Sequence, residues 1–63
     1  HPLVGKSYTF EDGNRMEIIQ VREVDELRGG SSVTYLAYQG PGIPQKLILN
    51  YQQFIEIYGQ LFE

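Results

Sequence analysis

The chain has 63 residues, a net charge of −3 from eight acidic and five basic side chains, five tyrosines and three phenylalanines, and no cysteine. This length holds one domain and buries only about 60% of the surface exposed by the unfolded chain, so the core is thin and rich in aromatic rings. The composition excludes a disulfide scaffold and thiolate metal sites, and the acidic balance is the wrong sign for a surface that wraps phosphate.

A hydrophobic fraction of 41% is enough for a folded chain. No apolar run approaches the roughly 18 residues of a membrane span, and no charged segment followed by an apolar one resembles a signal peptide. The expected setting is cytoplasmic. The chain starts at His1-Pro2, and this terminal histidine carries no argument.

The first expected strand, about 7–10, alternates polar and aromatic residues in Ser7-Tyr-Thr-Phe10. Asp12-Gly13 then supplies a hairpin turn into the next run, about 15–22. In that run the apolar positions are 16 and 18, then 19 and 21, a parity switch that predicts a bulge or sharp bend. Arg28-Gly-Gly-Ser-Ser32 reads as a flexible connection into a central strand at about 33–38, Val33-Thr-Tyr-Leu-Ala-Tyr38. A fourth strand is expected at about 45–49, with Leu47 and Leu49 on one face.

The tail changes period. Tyr51, Phe54, Ile55, Tyr58, Leu61 and Phe62 fall on one helical face, and Asn50 with Gln53 forms a capping-box pattern, which predicts a helix over about 51–58. Gly59 either ends the helix in a left-handed turn that folds Leu61 and Phe62 back onto the core, or lets it run on. The expected fold is β-β-β-β-α, mainly β with one C-terminal helix: a small, partly open SH3-like barrel or a strongly bent antiparallel sheet.

Catalytic motifs are scarce. The sole histidine is the terminal residue, so histidine-based nucleophile and acid-base arrangements fail and no enzyme is expected. Glu23-Val-Asp-Glu26 lacks EF-hand spacing and reads as a solvated turn beside Arg22 and Arg28. Gly29-Gly30 lacks the lysine and following helix of a P-loop. No cofactor or metal is implied.

Between the third and fourth strands, Tyr38-Gln-Gly-Pro-Gly-Ile-Pro-Gln-Lys46 can neither continue a ladder nor form a helix, because prolines lack the amide donor and fix φ. This stretch is a rigid loop. Ile43 at its tip either forms an exposed apolar contact for a partner or tucks under to cap the barrel end.

Gly5-x-x-Tyr8, Gly13, Ile19-x-Val21, Val33-x-Tyr35, the Gly/Pro loop, Leu47 and Phe54 run in an order similar to small SH3-like domains, including short ones encoded by bacteriophages and prophages. The resemblance implies a binding module whose loops take up peptides, proteins or nucleic acid. The chain departs from polyproline-binding members in having no tryptophan and a helix-like tail where a last strand would sit.

The expected function is therefore a non-enzymatic protein-binding or adaptor module, with Tyr38, Gln39, Pro41, Ile43, Pro44 and Arg28 as the partner-binding residues. The alternatives are an SH3-like nucleic-acid binder using Tyr8, Arg15, Arg22 and Arg28, in which aromatic rings stack single-stranded bases, and a structural domain excised from a larger protein.

Overall fold

A computed structural model describes residues 1–22 and 30–62. Four antiparallel strands, β1 (Ser7–Thr9), β2 (Arg15–Arg22), β3 (Ser32–Tyr38) and β4 (Gln45–Asn50), are followed directly by helix α1 (Tyr51–Tyr58) and a 3-10 turn, Gly59–Phe62. The sheet order is β1-β2-β3-β4, so each strand pairs with its neighbour in sequence and, among the described residues, both flanks stay open. The expected β-β-β-β-α order holds as one open antiparallel sheet followed by a helix; the sheet does not close into a barrel. Closure would need β1 to pair with β4, and β1 is only three residues long.

The first hairpin turns where Asp12-Gly13 predicts. The Phe10 amide donates to the Asn14 carbonyl at 2.7 Å and the Gly13 amide to the Phe10 carbonyl at 3.0 Å. The Asp12 carboxylate accepts from the Asn14 amide at 2.9 Å, an Asx contact that frees Gly13 to take φ +90°. The register places Tyr8 opposite Met16 and Met16 opposite Ala37.

The parity switch in β2 is a bulge. Ile18 lies opposite Tyr35 and Gln20 opposite Thr34, which leaves Ile19 unpaired and 36% exposed. Beyond it Val21 lies opposite Val33, so the apolar side chains regain the covered face. On the other side Gly5 donates to the Ile18 carbonyl and the Ile18 amide donates to Lys6, both at 2.9 Å.

One face of the sheet carries the core. Met16, Ile18, Val33 and Tyr35 are buried beneath Phe54 of α1 and Phe62 of the 3-10 turn. Asn50 starts the helix by accepting from the Gln52 amide at 2.9 Å and the Gln53 amide at 3.3 Å. Gly59 stays right-handed at φ −56°, so the chain tightens into the 3-10 turn without a left-handed cap. This turn still brings Leu61 and Phe62 onto the core. From the expected helical stripe, Ile55 departs: it sits at the margin, 39% exposed.

Among the described residues no helix is long and apolar enough to cross a membrane, and no three His, Cys, Asp or Glu side chains gather as a metal site.

Candidate functional site

Helix α1 packs on the sheet through Phe54 and Tyr58. Its last residue, Tyr58, reaches the Tyr35 ring, with centroids 6.1 Å apart. The next inward-facing row pairs Met16 with Ala37, and the small Ala37 side chain leaves space beside Tyr35 and Tyr58. A cleft of about 310 Å³ opens there. Its apolar lining is Met16, Ala37 and Leu47, and its aromatic lining is Phe10, Tyr35, Tyr38 and Tyr58. Asp12, Asn14, Arg15 and Gln39 add polar groups.

Arg15 and Tyr38 lie directly opposite each other on β2 and β3. The Arg15 guanidinium carbon stands 4.3 Å from the centre of the Tyr38 ring, a cation–π contact of about 0.5–1 kcal/mol at partly exposed positions. The contact holds both half-buried side chains at the mouth of the cleft.

Tyr35 is the buried polar member. Burial, and then its proximity and hydrogen bonding to the Tyr58 hydroxyl, raise its phenol above the usual value of 10.0. The Tyr35 phenol therefore stays neutral at ordinary pH and can donate or accept a hydrogen bond.

The expected partner-binding residues divide between this cleft and the loop beyond it. Tyr38 and Gln39 line the cleft. Pro41 is exposed, Pro44 is half-buried and Ile43 is 97% exposed, so of the two orientations open to Ile43 the outward one holds. Gly40, at φ +66°, lets the chain turn away from the sheet as it leaves β3. Arg28 lies outside the described residues, as do the Glu23–Glu26 cluster and Gly29.

Of the nucleic-acid set, Arg28 lies outside the described residues, and Tyr8, Arg15 and Arg22 do not form one patch. Tyr8 packs edge-on against Phe10 at 5.1 Å and Phe62 at 6.4 Å, which makes its ring part of the core margin. Arg15 and Arg22 stand at opposite ends of β2, about 23 Å apart at about 3.3 Å per residue.

The sequence reading missed the cleft, and with it Tyr35, Tyr58 and the Arg15–Tyr38 contact. The usable signal was Ala37, one small residue between Leu36 and Tyr38 in an otherwise bulky strand. No protein-family model matches the chain, and neither a curated protein nor a solved structure matches it.

Proposed function

We propose that the chain is a non-enzymatic binding module that recognises another protein through the loop after β3 and the cleft beside it. Tyr38, Gln39, Pro41, Ile43 and Pro44 form the contact. The observation that carries this reading is Ile43, which a rigid loop holds 97% exposed. Burying such a side chain contributes about 1.5–3 kcal/mol. Pro41 and Pro44 reduce the freedom the loop has to lose on binding. The adjoining cleft supplies aromatic surface and polar groups for orientation.

The likeness to SH3-like domains supports the same class of activity, loop-mediated capture with no chemical step and no cofactor. A chain without cysteine suits a reducing, cytoplasmic setting.

The test is capture by the immobilised domain from a lysate of its source cells, run in parallel with Ile43→Asp and Tyr38→Ala. A protein retained by the parent and lost from both variants supports the reading. Equal retention by all three overturns it, as does a salt-sensitive complex with single-stranded DNA or RNA in place of a protein.

A further inference from the structure

Among the described residues, strand β4 is a flank of the sheet with β3 as its only neighbour. The backbone shows which of its groups that neighbour uses. The Tyr51 amide donates to the Ser31 carbonyl at 2.9 Å, and this pair continues the register in which Ser32 lies opposite Asn50. Hydrogen-bonded pairs alternate along an antiparallel ladder. The rungs to β3 therefore fall at Leu49 with Val33, at Leu47 with Tyr35 and at Gln45 with Ala37.

Lys46 and Ile48 consequently turn their N–H and C=O groups outward. Among the described residues nothing pairs with them. Exposed edges are commonly guarded by proline, a bulge, several charges or short length. β4 is six residues long, carries one lysine and no proline, and its pairing with β3 has no register shift. Ile48, at its centre, is 65% exposed.

We propose that β4 pairs antiparallel with β4 of a second copy, about a two-fold axis at Ile48, so that the two sheets become one. Only residues on the same face can stand opposite each other. Centred on Ile48, the pairing sets Ile48 against Ile48 on the uncovered face, Leu47 against Leu49 on the helix face and Lys46 against Asn50. Shifted to a centre at Lys46, it would oppose two lysines; centred on Leu47, it would set Gln45 against Leu49. The edge is its own complement in one register, and this self-match identifies the occupant as a second copy.

Sedimentation equilibrium over a concentration series tests the proposal. The parent should have twice the chain mass at high concentration. Ile48→Pro should stay folded and monomeric, because it removes an outward amide that makes no rung to β3. Ile48→Lys keeps that amide and places lysine on lysine at the axis, and it too should lose the dimer. The sequence has no cysteine, so Ile48→Cys carries a single thiol that a short bismaleimide should join to its copy, while Thr9→Cys on the opposite flank should not be joined. A parent that remains monomeric throughout overturns the proposal, even if an extended peptide or another protein adds to β4. A dimer retained by both the proline and lysine variants also overturns it, as does crosslinking at residue 9 in preference to 48.

Discussion

Phe62 stacks on Phe54, with ring centroids 6.1 Å apart and planes inclined by 22°. The contact ties the last turn of the chain to the helix, and the Phe54 ring in turn meets Tyr35 of the sheet at 5.6 Å. Phe54 is fully buried. Phe54→Ala should therefore cost about 3–5 kcal/mol, read as a shift of the urea midpoint. Phe62→Ala should cost less, because Phe62 is 8% exposed where Phe54 is fully buried. A Phe54→Ala protein that unfolds with the parent would remove Phe54 from the centre of the core.

The first hairpin depends on backbone shape more than on space. A Cβ at Gly13 would meet nothing within 4 Å, yet its φ is +90°. Gly13→Ala should destabilise by about 1–2 kcal/mol. Gly13→Asn should recover part of that loss, since asparagine tolerates positive φ better. Equal stability of the alanine and asparagine proteins would count against backbone strain as the cause.

Tyr35 makes stability depend on alkaline pH. Its phenol is raised in the folded chain above 10.0, chiefly by burial and then by Tyr58. The unfolded chain then releases the proton first. The stability linked to Tyr35 is fully present below pH 10 and is lost as pH rises through the higher folded value. Denaturation measured from pH 8 upward should show a shallower alkaline decline for Tyr35→Phe than for the parent. Parallel declines would show that the phenol is not linked to folding.

Ile43→Asp separates binding from folding. At 97% exposure the side chain has almost nothing to lose in the folded chain, so its stability should remain within about 0.5 kcal/mol of the parent. A loss of several times that amount in thermal or chemical unfolding would mean that the loop packs on the domain.

Local chemistry made much of this fold readable. Asp12-Gly13 located a turn because an Asx contact and a positive φ are properties of two adjacent residues. The shift from Met16 and Ile18 to Val21 located the bulge because side chains alternate strictly along a strand. Asn50 marked the helix start through its own side chain. The Arg15–Tyr38 contact was not readable in the same way. It depends on how β2 and β3 align across residues 23–31, a connection too long for a two-residue turn to set the register. Whether the sheet closes was equally remote from local pattern, since closure depends on β1 and β4 meeting. The orientation of Ile43 depended on whether the loop folds back, which its glycines and prolines left open.

The direct succession of β4 and α1 fixes the angular phase of the helix. Asn50 is the last residue of the strand and the cap of the helix, with no spacer between them. One residue inserted after Asn50 would rotate every later side chain by about 100° around the helix axis. Phe54 would swing off the sheet while the ladder behind it stayed in register. The junction thus acts as a dial set to one position, and the domain tolerates a length change in its Gly/Pro loop far more readily than at this peptide bond.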